Sequence, residues 1–218
     1  MQATDLYSSV KDDFAAVDAS IIQHLSSNVP LVEKIGQYII ESGGKRLRPL
    51  LVLLSAQACG YQGVKHITLA AVVEFIHTAT LLHDDVVDTS DLRRGKPTAN
   101  NKWGNSSSVL VGDFLYSRAF QMLVEIGQVN IMGTLSSATN VIAEGEVLQM
   151  LNAKNPDVSE QSYLHVILGK TAMLFEAASH TGAQLAEADP IKTDALRRFG
   201  RHLGIAFQLI DDLMDYTG

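Results

Sequence analysis

The stretches LLHDDVVD (Leu81–Asp88) and FQLIDDLMD (Phe207–Asp215) each close an apolar run with the pattern Asp-Asp-x-x-Asp, the second pattern 127 positions after the first. In a helix, residues i and i+4 share a face and residue i+1 is turned away by about 100°. Asp84 and Asp88 therefore point one way, as do Asp211 and Asp215, with Asp85 and Asp212 flanking them. Like charges at this spacing repel by roughly a few tenths of a kcal/mol per pair. A helix C-terminus disfavours anions, and carboxylates among apolar residues drift toward the neutral form unless cations compensate. A solvated acidic surface explains one such triad poorly and two together worse. The pattern predicts a hard cation, Mg2+, held by carboxylate oxygens and completed by water and phosphate oxygens. Calcium would call for a loop with carbonyls and a bidentate Glu, and zinc for His or Cys. His83 abuts Asp84 without a second His at useful spacing, so it reads as a packing or orienting residue.

Outward from the triads the chain reads as all-α. Its five prolines, at 30, 49, 97, 156 and 190, separate long stretches rich in Ala, Leu and Glu, and no run alternates as a strand would. Helices are expected over about 5–26, 31–41, 49–59, 68–87, 107–126, 131–151, 159–181 and 190–216, with a loop at 152–157 and an irregular basic segment at 88–103. The helix at 68–87 is apolar almost all round, which predicts a central position. The spacing of the triads suits two facing helices of one bundle, so residues 1–218 are read as a single domain.

Composition agrees with a globular chain: 46% of residues are hydrophobic and 19% charged. The formal charge of -7 argues against nucleic acid as a partner. The lone Cys59 excludes an intramolecular disulfide and reads as a buried structural thiol. No basic-then-apolar leader opens the chain, and the longest apolar runs fall far short of a membrane span. A cytoplasmic location fits, with room for peripheral membrane contact if the product is greasy.

The basic residues point to phosphate. GGKRLRP (Gly43–Pro49) sets Lys45, Arg46 and Arg48 behind two glycines, where backbone N–H groups and cations can hold a diphosphate. Arg93, Arg94 and Lys96 follow the first triad and are suited either to ion pairs with it or to phosphate oxygens. Lys170 and Thr171 fall mid-helix in a segment poor in polar residues, where a buried Lys needs an anion. Gln208 precedes Asp211 by three and shares its face. His77 precedes Asp84 by seven and reads either as core or as facing the same side.

Taken in order, GGKRLRP, LLHDDVVD followed by RRG, GDFLYSRAF, GKTAMLFE and FQLIDDLMDY resemble the trans-isoprenyl diphosphate synthase family, its long-chain, octaprenyl-type branch above all. The resemblance runs from about Leu31 to Gly218 and includes the amino-terminal helix. It implies an antiparallel helix bundle around a deep central cavity. It also implies a Mg2+-dependent prenyltransferase that condenses isopentenyl diphosphate head-to-tail onto an allylic diphosphate such as farnesyl diphosphate, for a respiratory quinone side chain. Asp84, Asp85, Asp88, Asp211 and Asp212, with Asp215 farther out, would hold the metal. Arg93, Lys170, Thr171 and Gln208 would contact the allylic diphosphate. Lys45, Arg48, His77 and Arg94 would hold isopentenyl diphosphate. Ala79 and Thr80, small residues before the triad, imply an unplugged tunnel and a long product, with Phe120, Met122 and Leu123 as candidates for its floor. A homodimer is implied too, through the helices at 107–126 and 131–151 or through those same residues as core.

The likeness departs at the C-terminal end. Family members continue past the second triad with further lysines and helices, so a partial bundle lacking the C-terminal helices, inactive or weakly active, is the expectation. Two other readings stand beside it: a shorter-chain farnesyl or geranylgeranyl diphosphate synthase, and a non-catalytic subunit of a heteromeric synthase. A terpene cyclase is disfavoured by the basic residues suited to a second diphosphate.

Overall fold

The computed structural model describes residues 3–152 and 157–217. The chain groups into two compact units, 1–50 with 67–127, and 51–66 with 128–218.

The first unit opens with α1 (Ala3–Ser9) and α2 (Lys11–His24), where one continuous helix was expected. Of the apolar stripe Val10, Phe14, Val17, Ile21 and Leu25 that periodicity predicts, all are buried except Phe14, which is half-buried. The break falls at Val10, with φ -127° and ψ 25°, and no sequence signal marks it. Helix α3 (Pro30–Glu41) starts on Pro30, whose missing N–H is no loss in a first turn. Helix α4 (Leu47–Ala58) follows, its first four residues in this unit. Helix α5 (Lys65–Val87) is the core helix: Leu69–Val73, Phe75 and Ile76 are inaccessible to solvent. By length and composition, one 18-residue window of α5 could cross a membrane, but 61% of that window is buried inside the protein, as in a core helix.

The segment read as irregular contains a two-residue antiparallel hairpin, β1 (Leu92–Arg93) with β2 (Lys96–Pro97), turned by Arg94 and Gly95 in left-handed conformation. Thr98 caps the short α6 (Ala99–Trp103), its hydroxyl accepting from the Asn101 N–H. Helix α7 (Asn105–Ile126) buries Val111, Leu115, Ala119, Met122 and Leu123 and stops at left-handed Gly127.

The second unit is built on α8 (Val129–Asn152), α9 (Glu160–Ile167), α10 (Met173–Leu185) and α11 (Pro190–Thr217). Between α9 and α10, residues Leu168–Ala172 form a π-helical turn, where an uninterrupted α-helix was expected. Gly145 of α8 meets Gly169 there: a Cβ on Gly145 would lie 3.0 Å from the Lys170 nitrogen and 3.1 Å from the Gly169 Cα. The two backbones touch because neither residue has a side chain. The expected loop at 152–157 falls on 153–156, outside the described residues. Cys59 is half-buried rather than buried, and burial pushes its thiol up.

Candidate diphosphate and metal sites

In the first unit, α5 carries the acidic triad at its C-terminal end and a titratable pair two turns earlier. Asp84 is half-buried, Asp88 exposed and Asp85 only 1% exposed. Asp85 is turned onto Arg93: the guanidinium Nε donates to both carboxylate oxygens at 3.0 and 3.1 Å, and Nη2 donates to Oδ1 at 2.8 Å. The Asp85 carbonyl accepts from the Ser90 N–H at 2.9 Å and from Asn100 Nδ2 at 3.2 Å, which ties the end of α5 to the segment after it. His83 packs on α7, its Nε2 3.2 Å from the Val109 carbonyl and 3.3 Å from Asp113, with its ring stacked on Tyr116.

Arg48 and His77 come together. Arg48 Nη1 donates to His77 Nε2 at 3.2 Å, so that nitrogen is an acceptor. Burial, with Arg48, Arg94 and Arg93 nearby, holds the imidazole well below its ordinary 6.5. Burial also lowers the Arg48 guanidinium, to about 10, which leaves it charged at neutral pH. Glu74, one turn before His77 and 8% exposed, is pushed up by burial against the pull of Arg46, Arg48 and Arg94. The Arg94 guanidinium lies over Gly44, where a Cβ would stand 2.8 Å from Nη1. Lys45 is exposed beside it. Lys45, Arg48, His77 and Arg94 thus belong to one unit, with Arg48 on His77 and Arg94 on the turn that carries Lys45. That surface is cationic and has backbone left open by glycine, as an anion requires. Glu74 was overlooked in the sequence; a lone acid inside the apolar run 69–82, three residues before His77, was the available signal.

In the second unit, the π turn presents Lys170 and Thr171. Extra residues wound into a helix this way are frequent at functional sites. Thr171 donates to Gln208 Oε1 at 2.7 Å, and Gln208 Nε2 donates to Asp212 at 2.7 Å. The Tyr163 hydroxyl also donates to Asp212, and that bond pushes the phenol up to about 12. Lys170 pairs with Glu146 of α8 at 3.2 Å. Tyr163, Lys170, Thr171, Gln208 and Asp212 line a cavity of about 370 Å³ with Gln149, Val166 and Ile167. Asp211 and Asp215 are exposed on α11, and Asp212 is half-buried. Tyr163 and Glu146 were missed; Tyr163 stands seven residues before Lys170, a helical spacing that shares a face.

Among the described residues, no group of three or more His, Cys, Asp or Glu side chains converges into a ready cation site. Each triad is a helical row whose carboxylates are separated or paired: Asp85 on Arg93, Asp212 on Tyr163 and Gln208. The donors left facing outward, Asp88, Asp211 and Asp215, are all hard oxygen ligands. They fit an ion such as Mg2+, which binds through one or two carboxylates and takes the rest of its shell from water and phosphate. Ala79, Met122 and Leu123 are buried, and Thr80 and Phe120 half-buried.

Helices bearing two Asp-Asp-x-x-Asp rows, one beside a cationic glycine turn and one beside a Lys-Thr-Gln cluster, place the chain in the all-α isoprenoid-synthase class. It belongs to the polyprenyl synthetase family: residues 29–218 match that family's sequence model. The chain is 55% identical over 205 residues to an octaprenyl diphosphate synthase of Escherichia coli K12, covering 94% of this chain and 64% of the relative. It resembles a crystal structure of a decaprenyl diphosphate synthase from Rhodobacter capsulatus (TM-score 0.97, 51% identity, 99% of this chain and 66% of that one). It also resembles a polyprenyl synthase from Caulobacter crescentus CB15 in complex with calcium and isoprenyl diphosphate (TM-score 0.98, 47% identity, 100% and 66%). The chain spans about 64% of the length of the curated octaprenyl synthase relative.

Proposed function

We propose that this chain serves a long-chain trans-polyprenyl diphosphate synthase, condensing isopentenyl diphosphate head-to-tail onto an allylic diphosphate. The observation that carries the reading is the pairing, on α5, of the Arg48–His77 contact with the acidic row that begins at Asp84. His77, which takes the Arg48 contact, and the acidic row lie on one helix. Lys45, Arg48 and Arg94 would neutralise isopentenyl diphosphate, and neutral His77 would donate from Nδ1 once Nε2 is taken by Arg48. Lys170, Thr171 and Gln208 would bind the oxygens of the allylic diphosphate. Bound Mg2+ would supply charge neutralisation of the leaving diphosphate. In the first unit Asp84 and Asp88 would hold it, with Asp85 farther out; in the second unit Asp211 and Asp212 would, with Asp215 farther out.

The electron pair of the isopentenyl double bond would attack the allylic carbon as its C–O bond breaks. One proton would then leave the new chain, taken up by the departing diphosphate. No nucleophilic side chain is required.

Small Ala79 and Thr80 ahead of the triad favour long products. Relatives of similar identity carry octaprenyl and decaprenyl names, so overall similarity does not fix the length. The same reading implies a homodimer, supported by Leu110 and Val124, apolar and two-thirds exposed on α7, and action in the cytoplasm on behalf of quinone side chains.

The test is calorimetric. The purified chain is titrated with a non-hydrolysable farnesyl diphosphate analogue with and without Mg2+, then assayed with farnesyl diphosphate and labelled isopentenyl diphosphate. Metal-dependent binding, with any radiolabel found in a long prenyl chain, is expected. Equal binding with and without Mg2+ would reject the reading.

A further inference from the structure

The turn that carries Lys45 is held from outside by the two N-terminal helices. Residues 42–46 join α3 to α4, and two of them adopt left-handed backbone: Gly43 at φ +84° and Arg46 at φ +44°. Arg46 is a side chain in a conformation that favours glycine, so the turn needs external contacts to keep that shape. Two come from α1 and α2. The Tyr7 hydroxyl donates to the Lys45 carbonyl, and the Arg46 guanidinium donates to the Asp18 carboxylate. The first fixes the peptide after Lys45. The second holds the Arg46 guanidinium on Asp18, while Lys45 stays exposed on the turn. Tyr7 is itself braced edge-on against Phe14 of α2, with ring centroids 5.6 Å apart. Both residues precede position 29, where the family match begins.

We propose that Tyr7 and Asp18 are positioning residues for diphosphate binding at Gly43–Arg48: they set the turn so that Lys45 and Arg48 meet the anion. The proposal rests on the reading of that turn as the isopentenyl diphosphate site.

Electrostatics alone predicts the opposite result for Asp18. Removing a carboxylate beside an anion site should tighten anion binding. Loss of positioning should weaken it, because small misplacements of binding groups are costly. Binding of isopentenyl diphosphate to the 218-residue chain is measured calorimetrically, with thermal melts alongside, for the parent and for Asp18→Ala, Asp18→Glu, Tyr7→Phe and Asp12→Asn. Asp18→Ala should bind about threefold to tenfold more weakly. Asp18→Glu should recover most of the loss, and Tyr7→Phe, which keeps the ring contact, should show a similar weakening. Asp12→Asn, exposed on the same helix, controls for net charge and should bind at least as well as the parent. Mg2+-dependent binding of the farnesyl diphosphate analogue should not change in any variant. Unchanged or tighter binding by Asp18→Ala and Tyr7→Phe overturns this proposal alone. A parent chain that binds no isopentenyl diphosphate overturns it together with the reading beneath it.

Discussion

Arg93 closes on Asp85 with three donor contacts of 2.8 to 3.1 Å, and Asp85 is the one member of its triad withdrawn from solvent. A carboxylate so enclosed depends on its partner. Removing one side of a buried pair costs about 3–5 kcal/mol; because the Arg93 side chain is about a quarter exposed, Arg93→Ala should cost less, about 2–3 kcal/mol. Asp85→Asn in that background replaces the stranded charge with an amide and should return part of the loss. Urea denaturation of the two single variants and the double variant checks this: the effects should be clearly less than additive.

Gly44→Ala loads both binding and folding. The new Cβ would meet only the far end of the Arg94 side chain, at 2.8 and 3.0 Å. The guanidinium can swing aside, but Gly44 stands at φ +158°, a backbone that side-chain-bearing residues rarely adopt, so stability should also fall by about 1–3 kcal/mol. The displaced Arg94 takes with it one charged contact to the diphosphate, a loss of about 1.5–3 kcal/mol, or tenfold and more in affinity. Calorimetry with isopentenyl diphosphate, beside a thermal melt, reads both. A large drop in melting temperature with affinity unchanged would contradict the placement of Arg94.

His77 sets a pH dependence whose sign follows from its depressed pKa. Below about pH 6.5 the unfolded chain takes up a proton that the folded imidazole, beside Arg48 and other arginines, refuses. Unfolding then binds protons, so this contribution is present above pH 6.5 and is lost as pH falls toward the folded value. His77→Gln should flatten that slope. His180 is lowered in the same direction, so the quantity to read is the difference between parent and variant in urea midpoint, at neutral and mildly acidic pH. A difference that does not vary with pH would mean that the fold leaves the His77 pKa where the unfolded chain has it.

Much of this architecture was legible because its signals are local. The triads follow from spacing alone, α5 from an apolar run with no polar face, and the start of α3 from Pro30. The features that escaped depend on partners distant in sequence. The break at Val10 leaves the stripe Val10, Val17, Ile21 and Leu25 buried, so periodicity ran straight across it. The pairing of Asp85 with Arg93 hangs on a hairpin of two-residue strands, too short to alternate. Tyr163, Glu146 and Glu74 read as ordinary helix residues until the opposing elements supply Asp212, Lys170 and the arginines. Asp88, Asp211 and Asp215 stay where helical spacing put them, yet spacing could not say that Asp85 and Asp212 would be engaged by side chains of their own unit.

The π turn offers a test within a single helix. Gly133 and Gly145 both lie in α8, and a helix interior prefers Ala to Gly by about 1 kcal/mol. A Cβ at Gly133 would have nothing within 4 Å, so Gly133→Ala should stabilise the chain by up to about 1 kcal/mol. At Gly145 the same methyl would press on the backbone of Gly169 and Lys170 at 3.0 to 3.1 Å. Backbone cannot swing aside as a guanidinium can, and overpacking of this kind costs about 1–3 kcal/mol, more than the helical preference returns. Gly145→Ala should therefore destabilise, and by forcing α8 away from the π turn it should also loosen the 3.2 Å Glu146–Lys170 pair and weaken Mg2+-dependent binding of the farnesyl diphosphate analogue. Opposite signs for the two substitutions are the expected result. If both stabilise alike, Gly145 and Gly169 do not meet as described, and the close approach is not what holds Lys170 in place.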